Sequence, residues 1–151
     1  MTHNDFFGQI NNAVLDLQSA HLQSYDRPLK RLAGLLQHPD LAAANEALTK
    51  DVDLDRFLEE SERTQGGMVG SARLLWPDNP EQTLGLTLLL IRKFAENPEF
   101  MAQIGHMYYY SGSKTMSGVH AVTSQMIIPF ARDYKHMCCL AEIYSQSWSR
   151  H

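Results

Sequence analysis

A chain of 151 residues with 44% hydrophobic and 20% charged residues can bury a core without help from disulfides or metals, and this composition excludes disordered and collagen-like chains. Thirteen Lys and Arg against seventeen Asp and Glu leave a net charge of -4, so no general field draws the chain to nucleic acid or anionic lipid.

The longest nearly apolar stretch, Leu84 to Ile91, falls far short of the roughly 20 residues that a bilayer demands. The first residues, Met1-Thr2-His3-Asn4-Asp5, have neither the basic nor the apolar part of a secretory leader. A cytoplasmic chain without a membrane partner is therefore expected. Cys138 and Cys139 are neighbours that a helix cannot join, so both are read as reduced thiols.

Every long segment follows the helical period, and none alternates as a strand between turns. An all-α fold is predicted: a single-domain bundle over residues 1–151 of about six to seven helices, ending in a long, proline-bent C-terminal helix. The first helix is expected from Asn4 or Asp5 to about Tyr25, with Phe6, Ile10, Val14, Leu17 and His21 on its buried stripe. Asp26-Arg27-Pro28 interrupts it. Leu29, Leu32, Leu35 and Leu36 then make the apolar face of a second helix that stops at His38, ahead of Pro39.

Pro39 opens a short third helix reaching about Lys50, with Leu41, Ala44 and Leu48 inward. Asp53 is the expected N-cap for Leu54 to Thr64, where Leu54, Phe57 and Leu58 face the core and Glu59, Glu60 and Glu62 face water. Gly66 and Gly67 mark its end. Met68 to Trp76 is the candidate for another short helix, weakened by Gly66, Gly67 and Gly70.

Asn79-Pro80-Glu81 and Asn97-Pro98-Glu99 are two start signals of one kind. After the first, Leu84, Leu86, Leu88, Leu89, Leu90, Ile91 and Phe94 surround the helix axis, which identifies the central helix. The second launches Phe100 to about Tyr109, and Ser111-Gly112-Ser113 supplies a loop. From Met116 to Trp148 the steps are regular: Val119, Thr123, Met126, Phe130, Tyr134, Met137, Ala141, Tyr144 and Trp148 share one stripe. The far side carries Ile128, Cys139 and Ile143 among Gln125, Arg132 and His136, and these six residues form the candidate interaction surface. Pro129 removes a backbone hydrogen bond within this helix and is expected to bend it.

Most chemical motifs fail on spacing. Gly112-Ser113-Lys114-Thr115 lacks the Gly directly before Lys that a phosphate loop requires, and Asp51, Asp53 and Asp55 lack the Gly and closing Glu of a calcium loop. Asp133, His136 and Cys139 stand at successive i, i+3 positions, yet no second ligand pair completes a metal site, so none is expected. His106 is the candidate haem ligand and is read instead as structural, so no cofactor is expected. Tyr108-Tyr109-Tyr110 beside Lys114 offers rings for base stacking, but their divergent directions and the acidic charge favour core packing and argue against nucleic acid. No nucleophile elbow, paired-carboxylate site or dinucleotide fingerprint is present.

One enzymatic reading remains, carried by two Arg/His pairs. Arg132-Asp133-Tyr134-Lys135-His136 sets Arg and His on one helix face, as do Arg31 and His38 at their wider spacing. The arrangement resembles that of the metal-independent HEPN ribonucleases, which bring an Arg and a His of one helix together across a dimer, although fewer residues separate Arg132 from His136 than is usual there. That resemblance implies a toxin or defence component with Arg132 and His136 catalytic. The leading expectation is non-catalytic: a protein-interaction module acting as adaptor, chaperone or regulatory partner. It rests on the two-sided last helix and on Trp76, Tyr109, Tyr110 and Trp148, residue types that favour interfaces. The expected partner is another protein or a second copy, forming a homodimer through the last helix.

Overall fold

A computed structural model describes residues 3–65, 72–109 and 115–149, with side chains at 5–65, 72–109 and 116–138. All regular structure among them is helical, as the periodicity predicts. Helices α1 (His3–Gln18) and α2 (Asp26–Leu36) pack together, and a 3₁₀ turn (Pro39–Leu41) leads into α3 (Ala42–Thr49). Then come α4 (Leu54–Glu62), α5 (Pro80–Glu96) and α6 (Pro98–Tyr108). The final run is continuous: α7 (Thr115–Val122), a π turn (Thr123–Ile127) and α8 (Ile128–Ser149). Among the described residues no helix is long and apolar enough to cross a membrane.

Helix starts follow local chemistry. The Asp53 carboxylate accepts from the Arg56 amide at 3.1 Å, and the Asn79 side chain accepts from the amides of Glu81 and Gln82 at 2.8 and 3.4 Å. Each covers N–H groups that a first helical turn leaves without a partner. His38 does the same for the 3₁₀ turn, its Nδ1 accepting from the Asp40 amide at 3.1 Å.

The absence of a polar face on α5 decides the packing. Leu88, Leu90, Ile91 and Phe94 are 0% exposed, and α2, α3, α4, α6 and α8 all lie against this helix. Phe6, Ile10, Val14 and Leu17 of α1 and Leu29, Leu32 and Leu36 of α2 join the same buried cluster. On the final run Val119, Thr123, Met126, Phe130 and Tyr134 are buried as their spacing predicts. Two crossings admit only glycine. A Cβ on Gly85 would overlap the Leu48 carbonyl of α3, and one on Gly105 of α6 would overlap the backbone of Gly118 in α7.

A short polar relay runs through this apolar interior. The Tyr134 hydroxyl donates to Asn45 Oδ1 at 2.5 Å, and Asn45 Nδ2 donates to the Leu36 carbonyl at 2.7 Å. That carbonyl is one of those at the end of α2 with no helical donor, so one asparagine ties α8 to α3 and finishes α2. Burial, with the neighbouring Cys138 next, holds the Tyr134 hydroxyl well above the usual tyrosine range, and burial pushes the half-buried Tyr109 up to about 12.

Several boundaries differ from expectation for local reasons. Helix α1 stops at Gln18 instead of continuing to Tyr25, because the backbone bends at Ser19 and Ala20 and a separate turn follows. In that turn the amides of Ser24 and Tyr25 both reach the His21 carbonyl at 3.0 Å, and the Ser24 hydroxyl accepts from the His21 amide at 3.4 Å, local bonds that compete with helix. His21 is consequently exposed, not on the stripe, and Tyr25 is buried. Residues 72–76, the described part of the Met68–Trp76 candidate, are irregular and not helical. The Arg73 amide donates to Thr64 Oγ1 at 2.6 Å and the Leu75 amide to Ser61 Oγ at 3.0 Å, so hydroxyls at the end of α4 supply partners in place of a helical ladder. Gly66, Gly67, Gly70 and the Ser111-Gly112-Ser113 loop lie outside the described residues.

Pro129 is the second residue after the π turn, following Ile128. The Ile128 amide bonds five residues back to the Thr123 carbonyl, while the Thr123 and Ser124 hydroxyls bond to the carbonyls of Val119 and His120 at 2.8 and 2.7 Å. Proline and these hydroxyls all weaken the α ladder here, and one widened turn takes up the misfit.

Two stability outcomes follow. Gly105→Ala lowers unfolding stability by about 1–3 kcal/mol through overpacking, whereas Gly8→Ala, with open space around its Cβ in mid-helix, raises it by roughly 0.5–1 kcal/mol; urea titration of both variants separates the two effects. Because Tyr109 and Tyr134 ionise at higher pH folded than unfolded, their contribution is intact below the unfolded pKa of about 10 and is lost as pH rises from there toward the folded values, about 12 for Tyr109. Denaturation midpoints measured from pH 9 upward should fall, and Tyr109→Phe should make the fall shallower.

Candidate functional site

With its stripe packed on the core, the final helical run leaves a cleft along each flank. The first, about 660 Å³, opens between this run and the start of α5. Buried Leu84, Met126 and Phe130 form its base, half-buried Trp76, Pro129 and Met137 its sides, and exposed Asp78, Glu81 and Asp133 bring carboxylates to its edge. Among the described residues no Lys or Arg lines it. The side walls are fixed from behind: Trp76 rests against Phe57 of α4 with ring centroids 4.8 Å apart, and Phe130 stacks on Tyr134 at 5.2 Å. Gln125 and Met126 enter the cleft from the π turn, the kind of irregularity that recurs at functional sites.

The second cleft, about 570 Å³, lies between α1 and α8. Its apolar base is Phe7, Ile10 and Val14, Leu15 at its lip is 50% exposed, and Arg132 and Lys135 stand at its edge. The two flanks of one helix therefore present opposite charge at their margins.

The sequence-predicted surface is divided between these clefts. Gln125 and His136 line the first, while Ile128 and Arg132 line the second. At about 100° per residue the four span an arc of roughly 80°, wide enough to straddle the solvent-facing crest instead of forming one patch. Along that crest Gln125, Arg132 and His136 are exposed, and Ile128 is half-buried against the core. The side chains of Cys139 and Ile143 lie outside the described residues, as do those of Tyr110 and Trp148.

The Arg/His pairs are not assembled as couples. Arg132 Nε donates to Asp133 Oδ1 at 3.0 Å, and the arginine and His136 line different clefts. Arg31 pairs with Asp16 of α1 at 3.8 Å, and His38 is occupied as a cap with its ring edge-on to Phe6, centroids 5.0 Å apart. Asp133 and His136 share the first cleft, but among the described residues no group of three His, Cys, Asp or Glu side chains is placed to hold a metal. The His106 ring fills the space that a side chain at Gly118 would take, at a helix crossing.

Sequence reasoning singled out Trp76 as an interface residue and the far face of the last helix as a contact surface, but not Asp78 and Glu81. Their only local signal is the Asn79-Pro80-Glu81 start, which fixes where α5 begins and thereby leaves its first turn exposed beside the cleft.

No protein-family model matches the chain, and no solved structure matches it. Over 131 residues, 87% of its length, the chain is 44% identical to YuaY, an uncharacterized protein of Escherichia coli strain K12. It spans 44% of the length of that curated relative.

Proposed function

We propose that the chain is a non-catalytic protein-interaction module, an adaptor whose cleft between α5 and the final helical run seats an apolar segment of a partner protein flanked by Lys or Arg. One observation carries the reading: preformed apolar sides built from Trp76, Pro129 and Met137 stand beneath the carboxylates of Asp78, Glu81 and Asp133, with no Lys or Arg among the described lining residues. Buried apolar anchors supply affinity in such a groove, and complementary charge supplies selection and speeds encounter. The net charge of -4 acts in the same direction. The module is read as cytoplasmic, a compartment that keeps thiols such as Cys138 reduced.

A fluorescent peptide with Leu and Met anchors at helical spacing and Lys at both ends tests this by anisotropy. It should bind, and the same peptide with Glu ends should not. Replacing Asp78, Glu81 and Asp133 together by their amides should weaken binding by about tenfold, at about 0.2–1 kcal/mol for each exposed charge. Equal binding of the two peptides, or an unchanged affinity in the amide variant, overturns the choice of partner. Sedimentation of the chain alone checks for the homodimer: a dimer lost in Met137→Asp would put a second copy in the cleft.

The ribonuclease reading finds less support, since Arg132 is tied to Asp133 and is separated from His136 by the helix crest. The chain is expected to leave RNA intact in chelator. Cleavage abolished by His136→Ala would overturn the non-catalytic reading.

A further inference from the structure

The second cleft, between α1 and α8, has no part in the peptide seat: none of its lining residues lines the first cleft. Its floor and its lip are two stripes of α1 at helical spacing. Phe7, Ile10 and Val14, all buried, make the floor, and exposed Asn11, Leu15 and Gln18 make the lip. From Phe7 to Gln18 the furrow follows α1 for about 16 Å. On the opposite side half-buried Ile128 and Ala131 continue the apolar wall, and Arg132 and Lys135, neighbours on one face of α8, stand at the margin.

Both cations lie within reach of a ligand. The Arg132 side chain is 75% exposed, and Asp133 engages only its Nε, which leaves the two terminal nitrogens of the guanidinium. Lys135 is exposed and has no ion-pair partner among the described residues. Among the described residues no Asp or Glu lines this cleft, and Asp16, next to Leu15 on α1, is paired with Arg31.

A trough that is apolar inside and cationic at its edge matches an anion with one long hydrocarbon tail. We infer that the cleft between α1 and α8 is a site for a free fatty acid, with the alkyl chain laid along Phe7, Ile10 and Val14 and the carboxylate facing Arg132 and Lys135. The volume, about 570 Å³, lies in the range of small-molecule sites. Of the apolar side chains that line it only Leu15 is exposed, so a helical segment laid over the rim would meet little hydrocarbon, whereas a single alkyl chain is thin enough to reach the floor. The two cations repel an amphiphile of positive charge, and the acidic margin on the other flank keeps the anion out of the first cleft.

Titration calorimetry of the full chain with octanoate, decanoate and dodecanoate, each below its micelle-forming concentration, tests this. Affinity should rise about fourfold for each added methylene. Dodecanol, which lacks the charge, should bind about fivefold more weakly than dodecanoate, and dodecylammonium more weakly still. Replacing Arg132 and Lys135 together by Gln should bring dodecanoate down to the dodecanol level and leave dodecanol unchanged. Leu15→Glu alters an exposed position, spares the fold and should weaken dodecanoate by about tenfold, placing dodecylammonium above it. Absence of binding by all three acids, an affinity independent of chain length, or one that neither variant moves overturns the proposal. Displacement of the Lys-ended peptide by dodecanoate would overturn it by placing the acid in the first cleft. So would capture of the chain by phosphatidylglycerol vesicles without binding of monomeric dodecanoate, which assigns the basic margin to a membrane surface.

Discussion

A helix whose middle turns are apolar nearly all round must be covered nearly all round, and residues 84–91 of α5 impose that requirement on the rest of the chain. Its 0% exposed Leu88, Leu90, Ile91 and Phe94 can leave water only if helices from both ends of the sequence close around it. The glycine crossing follows from the same demand. Gly85 brings α3 to within backbone contact of α5, and the short α3 then delivers Asn45 to the one place where it can satisfy both the end of α2 and the Tyr134 hydroxyl. Among the buried polar side chains, Asn45 is the one placed where both a helix end and a phenol would otherwise be orphaned.

Enclosure also explains where the first cleft is. The first turn of α5, held at the surface by its Asn79 cap, and the segment around Trp76 stand beside the final run without closing on it, so the space between them remains open.

The fold was legible wherever periodicity and capping spoke together. The Asp53 and Asn79 caps, the α1 stripe through Leu17, the all-round apolarity of α5 and the stripe from Val119 to Tyr134 are local patterns with direct physical causes. The end of α1 was less legible, because the His21–Ser24 turn competes with helix by bonds that no apolar pattern records. The irregular segment through Trp76 depends on hydroxyls of Ser61 and Thr64, whose role is set by tertiary placement. The sites were less legible still. Wheel arithmetic puts Gln125, Ile128, Arg132 and His136 on one arc, in which Ile128 is half-buried, yet an arc carries no information on which neighbour stands at each edge, and that is what divides it between an acidic and a basic margin.

The π turn has a consequence for how this surface can change over generations. A widened turn holds one residue more than an α-helix needs, so it absorbs the surplus while the rod on either side keeps its direction. Losing one residue within Thr123–Ile127 would return the turn to the α period and leave Asp133 and Met137 at the cleft while α7 stayed seated on α6. A deletion elsewhere in the run, where there is no surplus to give up, would instead turn all that follows by about 100°, so this one turn is where the length of the run can change while its displayed face is kept.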